Sequence, residues 1–433
     1  MTWSRRRVVQ SGLVGLGAAL VNHPAFAATQ RTVLRPGNVS AQIGGHLVEM
    51  LGFNNQWPGP PIRAVQGETL DIRVENGLDD GALVHWHGLR LPNRMDGVNV
   101  LTQDVIPPGQ SFDYRFDVPD AGTYWYHSHY ISYEQVSRGL FGPLIIEERN
   151  PPQLDHDITV QLFDILTDAS GQYDEAFDQN RFLTDGRIGN TTMAHTSHDS
   201  VARGDRVRLR LINPSVDRVY VVAISGLSGV IAALDGMPLA APRALARITL
   251  APGQRCDVIG DVLDPIVMTD HAARESTQLG EIAVNGSHSP SSRPLPFLPS
   301  NPMPTPDAET QHATLLLQGG AGGGPHNGFG GWALNNTSGL PQDPFIDLRR
   351  GSTVRISLKN DTAFDHVMHL HGHHFWELTT GERARGDYRD GTLVPARATR
   401  DILCVLDNPG AWMLHCHMLS HQADGMATWV QVR

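Results

Sequence analysis

Three features are scarce in this chain of 433 residues: cysteine, net positive charge and long apolar segments. The formal net charge is −11, and this acidic balance argues against nucleic acid as a partner. Beyond the N-terminal leader, no apolar run is long enough to cross a membrane. The three cysteines are an odd number, so they cannot all pair within the chain. Cys256 and Cys404 lie in strand-like runs and are predicted to be buried thiols, whereas Cys416 has a histidine on each side.

The N-terminus has the pattern of an export signal. Arginines at positions 5–7 follow Ser4, a weakly apolar run continues to Val21, and an A-x-A motif ends at Ala27. Paired arginines in this position are typical of the twin-arginine pathway. We predict that residues 1–27 are a signal peptide read by the twin-arginine export machinery, and that the mature protein is periplasmic or secreted. An ordinary secretory signal and a membrane anchor are the alternatives.

An internal repeat organises the rest of the chain. The segments GETLDIRVEN, GDRVRLRLIN and GSTVRISLKN begin at Gly67, Gly204 and Gly351, and each alternates apolar with polar residues. Such alternation predicts half-buried strands. A second element, P-G-Q, occurs at 108–110 and again at 252–254. We predict an all-β chain of three Greek-key β-sandwich domains. They are called unit one (residues 28–150), the middle unit (151–300, with a linker) and unit three (301–433).

Unit one and unit three each carry two H-x-H pairs at matching positions of the repeat. Alternate residues of a strand project from the same face, so each pair offers two imidazoles side by side. If the two units pack together, eight imidazoles meet, which suits a cluster of several metal ions. Imidazole binds Cu, Zn, Fe and Ni, so these histidines do not identify the metal. The middle unit has Val222 and Ile224 in place of the first pair. The eight residues are His85, His87, His127, His129, His369, His371, His415 and His417.

A second site is predicted on the opposite face of the last histidine strand. Cys416 lies between the two histidines of the last pair and must point away from them. His366 lies three residues before the third pair and faces the same side as Cys416, and His421 and Met426 follow. Two histidines, a cysteine and a weak axial methionine form the geometry of a blue-copper electron-transfer site. Unit one lacks this set, since its corresponding residues are Ala82, Ser128, Tyr133 and Arg138.

The motifs HWHG, YWYHSH, HVMHLHGH and HCHMLSHQADGM resemble the four copper-binding signatures of the multicopper oxidases. The resemblance covers nearly the whole mature chain and implies three cupredoxin-like domains with four copper ions. In this family a reducing substrate gives electrons to a type 1 copper, and they pass through its cysteine to a trinuclear cluster that reduces O₂ to water. The resemblance assigns His366, Cys416, His421 and axial Met426 to type 1 copper, His85 and His369 to type 2 copper, His87, His127 and His417 to one type 3 copper, and His129, His371 and His415 to the other.

Two further positions bear on the supply of protons. Asp96 matches an acidic residue near the type 2 copper of the family, the alternative being a solvated turn residue. Gln422 stands where bacterial members often have a glutamate that relays protons, and glutamine cannot carry a titrating proton. Asp96, Asp424 or water must then take that role, or turnover is slower.

The resemblance implies a laccase-like oxidase of phenols or related aromatic reductants, or alternatively an oxidase of cuprous or other metal ions. The 11 methionines are dispersed, without the methionine-rich insertion of many periplasmic cuprous oxidases, which favours the first. In the family, an axial methionine accompanies a low or moderate type 1 potential. The segment TTMAHTSH (191–198) is predicted to be a polar loop, with a weak metal site as the alternative.

Overall fold

The computed structural model describes residues 31–174, 188–289, 291–307, 311–320, 331–378 and 385–433. The predicted signal peptide lies outside the described residues. Within them, the structure contains no helix that is both long and apolar enough to span a membrane.

Unit one consists of short strands arranged in three sheets. Their orders are β1-β5-β7, β4-β9-β8-β6 and the hairpin β2-β3. A short helix α1 (Ser132–Ser137) follows β8. The strands are β1 Thr32–Leu34, β2 Pro36–Ile43, β3 His46–Phe53, β4 Ile62–Val65, β5 Thr69–Glu75, β6 Val84–His87, β7 Ser111–Asp117, β8 Gly122–Ser128 and β9 Phe141–Glu147.

The middle unit has one large sheet with the central order β11-β10-β13-β17-β14-β15. The segment predicted to be a polar loop instead forms β11, because its backbone pairs antiparallel with β10 from Val160 to Ile165. The strands are β10 His156–Ile165, β11 Thr191–Thr196, β12 Ser200–Arg203, β13 Arg206–Ile212, β14 Tyr220–Leu234, β15 Met237–Ala244, β16 Ile248–Leu250, β17 Arg255–Asp270 and β18 Thr277–Ser287.

Unit three repeats the strand order of unit one. Its sheets are β20-β19-β22-β27-β24-β25 and β21-β29-β28-β23-β26, and a short helix α2 (Leu419–Ala423) follows β28. The strands are β19 Gln311–Gly319, β20 Trp332–Leu334, β21 Ile346–Leu348, β22 Thr353–Asn360, β23 His366–Leu370, β24 Phe375–Leu378, β25 Arg385–Arg389, β26 Gly391–Val394, β27 Thr399–Val405, β28 Gly410–Cys416 and β29 Ala427–Val432.

The three repeated sequence segments form equivalent strands, β5, β13 and β22. Each pairs in parallel with an earlier strand and antiparallel with a later one. The predicted all-β fold of cupredoxin-like sandwiches is confirmed. The expected half-buried pattern holds in β5 but not in β13, which is buried along its whole length. The arginines of β13 are buried because carboxylates pair with them, as Glu148 and Asp257 do with Arg208.

Units one and three share one hydrophobic core, and this core sets their relative position. Trp86 and Ile72 of unit one belong to the same buried cluster as Trp412 and Val367 of unit three. The middle unit has a separate core of its own. Each large apolar side chain buried in this way stabilises the fold by about 1.5–3 kcal/mol. The shared core brings the histidine strands of units one and three to one interface.

Candidate metal centres

The four H-x-H pairs converge at the interface between unit one and unit three. In unit one His85 on β6 lies opposite His127 on β8, and in unit three His369 on β23 lies opposite His415 on β28. Across the interface the rings of His87 and His369 stack with centroids 3.9 Å apart. All eight imidazoles are buried, none more than 7% exposed. The expected convergence therefore exists, and we call these eight residues the histidine cluster.

The histidine cluster divides into groups whose candidate ligand atoms lie within 4.8 Å of one another. The groups are His85, His87 and His369; His87, His127 and His417; and His129, His371 and His415. Two of these three groups are the sets that the resemblance to the multicopper oxidases implies for the pair of type 3 ions. The grouping is compatible with several ions at a single interface.

Hydrogen bonds fix which ring nitrogen is left for a metal. Nδ1 of His85, His127, His369 and His415 donates to a backbone carbonyl at 2.8–2.9 Å. A carbonyl only accepts, so in each ring Nδ1 carries the proton and Nε2 keeps its lone pair. Metal-bound histidines commonly donate their other ring N–H in this way. The Nε2 atoms of His85, His127 and His369 are buried without a hydrogen-bond partner.

One pair of ring nitrogens tests whether the residues fit a cation. His371 Nδ1 donates to the Asp96 carboxylate and His415 Nδ1 to the Cys416 carbonyl, so both Nε2 atoms carry lone pairs. These two acceptors lie 3.1 Å apart in a buried site. Two lone pairs at that distance repel unless a cation lies between or beside them. The residues present therefore fit bound metal ions.

Burial keeps the imidazoles neutral, as metal ligation requires. Desolvation lowers the pKa of His129 to about 3, with the nearby His85 adding to the effect. Burial first, and neighbouring imidazoles second, also lower the pKa of His127 and His415 well below the usual value.

A second centre lies on the other side of β28. Cys416 Sγ is 3.6 Å from His366 Nδ1 and 3.8 Å from His421 Nδ1, and these two nitrogens are 3.1 Å apart. All three residues are buried. Met426 is fully buried beside them, with its carbonyl accepting from the Cys416 amide and its amide donating to the His421 carbonyl. Trp332, which sequence reasoning missed, packs its ring 4.2 Å from that of His421.

The Cys416 thiol must lose its proton to become a metal ligand, and a bound metal ion causes that loss. Burial raises the pKa of this thiol to about 12, so the apoprotein holds it protonated. A bound cation deprotonates a coordinating thiol. A cysteine with two imidazoles is a ligand set typical of copper.

Asp96 connects the two halves of the histidine cluster. Its carbonyl accepts from His85 Nδ1, and its carboxylate Oδ2 accepts from His371 Nδ1, both at 2.9 Å. The side chain is 1% exposed, so the alternative of a solvated turn residue is wrong. Burial raises the pKa of the Asp96 carboxyl, while His85 opposes the change.

Asp390 of unit three makes the same kind of contacts from the opposite side of the histidine cluster. The sequence analysis did not identify this residue. Its carbonyl accepts from His369 Nδ1 at 2.8 Å, and its carboxylate accepts from His87 Nε2 at 3.3 Å. Burial opposes its ionisation, but the guanidinium of Arg255 outweighs burial and lowers the pKa of Asp390 to about 2. A D-G dipeptide is common to Asp96 and Asp390. Asp96 lies 11 residues after the first histidine of unit one, whereas Asp390 lies 21 residues after the first histidine of unit three. Because these separations differ, the sequence does not show that the two aspartates correspond.

Gln422 and Asp424 lie at helix α2. The Gln422 side-chain oxygen accepts from the Ser132 hydroxyl at 3.4 Å, which joins α2 to α1 of unit one. Asp424 is half-buried, and its carbonyl accepts from the Trp332 amide. Of the expected proton-handling residues, Asp96 contacts histidines of the cluster directly.

Repeated β-sandwiches that share buried imidazoles, with one cysteine joined to them along a strand, define a copper-dependent oxidoreductase. Comparison with known proteins agrees. Family models described as multicopper oxidase match residues 37–151, 164–267 and 309–433. The chain belongs to the multicopper oxidases, which couple oxidation of a reducing substrate to the reduction of O₂.

Relatives are similar along nearly their whole length. Multicopper oxidase MmcO of Mycobacterium tuberculosis is 28% identical, over 96% of this chain and 91% of that protein. Laccase-2 of Cryptococcus neoformans var. grubii is 30% identical, over 88% of this chain and 80% of that protein. The crystal structure of Lac15 from a marine microbial metagenome is 43% identical with a TM-score of 0.80, covering 94% of this chain and 100% of that one.

Proposed function

We propose that this chain is a laccase-like oxidase of phenols or related aromatic reductants that carries four copper ions. One observation supports a path for electrons between the two centres. Cys416 belongs to the second centre, while its two chain neighbours, His415 and His417, belong to the histidine cluster. An electron that enters at Cys416 is thus one peptide bond from a cluster histidine on either side, next to the site where O₂ would be reduced. Because β28 points alternate residues to opposite faces, a single strand supplies both centres.

The copper assignment is the one that the family resemblance implies, and three of the ligand groups coincide with its type 1 and type 3 sets. Bound copper supplies one-electron oxidation at the Cys416 centre and four-electron reduction of O₂ at the histidine cluster. The residues that would hold the ions are His366, Cys416, His421 and Met426 for type 1; His85 and His369 for type 2; His87, His127 and His417 for one type 3 ion; and His129, His371 and His415 for the other.

The chain's own residues orient these ligands and exclude water from them. Backbone carbonyls hold the imidazole rings by Nδ1, and Trp332 packs against His366 and His421 with no exposed surface of its own. We propose Asp96 as the acid that hands protons to the cluster, because its carboxylate contacts His371 inside the buried site. Gln422 holds α2 against α1 and carries no proton.

The surroundings of the methionines support an aromatic reductant over cuprous ion. Among the described residues, Met303 is the one methionine with an exposed side chain, and it is 46% exposed. Accessible thioethers favour the binding of Cu(I), since soft sulfur ligands select this ion. The substrate class is tested by loading the protein with copper anaerobically and comparing O₂ uptake with a phenol and with Cu(I). If O₂ uptake is faster with Cu(I) than with the phenol, the protein is instead an oxidase of metal ions.

We further propose export to the periplasm by the twin-arginine pathway. The arginines at positions 5–7 and the A-x-A motif at 25–27 support it. Lysine in place of the paired arginines should leave copper-loaded enzyme in the cytoplasmic fraction. Normal export of that variant would instead indicate an ordinary secretory signal.

A further inference from the structure

The P-G-Q element occurs twice in the chain, and its two copies have different surroundings. Gly109 of unit one and Gly253 of the middle unit both adopt positive φ, +72° and +81°. A Cβ on Gly109 would meet nothing within 4 Å. A Cβ on Gly253 would lie 2.9 Å from His87 Cε1 and 3.0 Å from His417. The turn of the middle unit therefore packs directly on two histidines of the cluster.

The residue after this turn, Arg255, joins all three units. Its guanidinium donates to both carboxylate oxygens of Asp390 in unit three, at 2.9 and 2.5 Å, and through Nε to the Thr123 carbonyl of unit one. Its backbone amide donates to Asp235 of the middle unit. Arg255 has no exposed surface. A bidentate guanidinium fixes both the position and the plane of the carboxylate that it binds.

The carboxylate held by Arg255 in turn holds the histidine cluster. Asp390 accepts from His87 of unit one through its side chain and from His369 of unit three through its backbone. These two rings stack face to face across the interface. Asp96 makes the matching contacts on the other side, but no arginine pairs with it among the residues that the structure describes.

We infer that Arg255 is a positioning residue of the copper cluster, acting through Asp390 on His87 and His369. The middle unit supplies no proposed copper ligand. Through Arg255 it nevertheless fixes the relative positions of the histidines of units one and three that would bind copper together. Gln254 adds to this by donating to the Gly391 carbonyl, next to Asp390. The inference rests on the copper assignment proposed above. If the wild-type protein binds no copper at the histidine cluster, the copper assignment itself is refuted, and not only the role of Arg255.

The informative variant is Arg255→Lys, because it keeps the positive charge and loses the planar fork. Removing the charge altogether would leave a buried unpaired carboxylate, which destabilises a fold strongly. The matched control is Arg206→Lys, a buried arginine of the same unit that binds Asp261 through two nitrogens and contacts no cluster histidine. A second pair compares Gly253→Ala with Gly109→Ala, since both strain a turn at positive φ and only the first reaches the cluster.

Copper affinity is measured by competition with a chelator, and the cluster by its electron paramagnetic resonance signal. We expect Arg255→Lys and Gly253→Ala to weaken cluster copper binding about 10–100-fold, the range for residues that orient metal ligands. The resonance of the type 2 ion should change, whereas absorption of the Cys416 centre should not. The two controls should match wild type in both measurements. Variants that lose thermal stability but keep wild-type copper affinity and resonance would overturn the inference and leave Arg255 a structural residue only.

Discussion

Replacing Cys416 by serine tests the separation of the two centres. Unit one shows the expected result, because its corresponding residue is Ser128. The carbonyl of Ser128 accepts from His127 Nδ1 at 2.9 Å, as the carbonyl of Cys416 does from His415. Serine therefore holds the neighbouring histidine in the orientation of a ligand. We expect Cys416→Ser to lose the thiolate centre and to keep the histidine cluster.

The magnitudes follow from the geometry. Copper content should fall from the proposed four ions per chain to three, with the blue absorption band lost. A buried hydroxyl left without a partner costs about 1–3 kcal/mol, and His366 Nδ1, 3.6 Å from the present sulfur, is too far to bond the shorter serine side chain. We therefore expect a stability loss of about 1–3 kcal/mol in the apoprotein. Oxidation of phenol should be abolished, because the centre that receives its electrons is gone.

The assay combines metal analysis, visible absorption and O₂ uptake on one preparation. Cys404→Ser is the matched control, because Cys404 is equally buried in unit three and its thiol contacts a carbonyl rather than an imidazole pair. The control should keep four ions and the blue band. A blue band that survives in Cys416→Ser would show that another residue supplies the sulfur ligand. Loss of all four ions would refute the reasoning from Ser128.

Three further changes test other parts of the site. Asp96→Asn should slow O₂ reduction about 10–100-fold while reduction of the blue band by phenol stays unchanged in stopped flow, and a slowed first step would contradict its place at the cluster. Met426→Leu should raise the potential of the blue centre in a redox titration, since the axial ligand tunes it; an unchanged potential would show that Met426 is not that ligand. Arg208→Ala removes the guanidinium from Glu148 and from Asp257, which keeps its hydrogen bond from Thr123, and should cost about 3–5 kcal/mol in denaturant unfolding of the apoprotein. A cost below about 1 kcal/mol would mean that water replaces the guanidinium.

Internal repetition made most of the fold predictable. The alternation in the segments beginning at Gly67 and Gly351 gave two equivalent strands, and the H-x-H spacing placed the histidines on matching strands. Alternation could not show that β13 is buried on both faces. That depends on carboxylates such as Asp157, which is 53 residues away from its partner Arg210. Contacts between units follow from packing and leave no local pattern in the chain.

The same limit explains why Asp96 was found and Asp390 was not. Asp96 follows the strand of its histidine pair closely, and it was found because it matches an acidic residue of the family that the sequence resembles. Asp390 reaches the cluster from the far end of β25, and its partner Arg255 lies 135 residues earlier in another unit. A search for acidic residues near the motifs could not have found this pair.

The two aspartates also show how a repeated scaffold becomes asymmetric. Each binds the first histidine of its own unit through the backbone and the second histidine of the other unit through its carboxylate. Burial raises the pKa of Asp96, whereas Arg255 holds the pKa of Asp390 at about 2 despite similar burial. The difference comes from the middle unit, whose described residues place a guanidinium against Asp390 and none against Asp96. A domain without proposed copper ligands thus makes the two sides of the cluster electrostatically different.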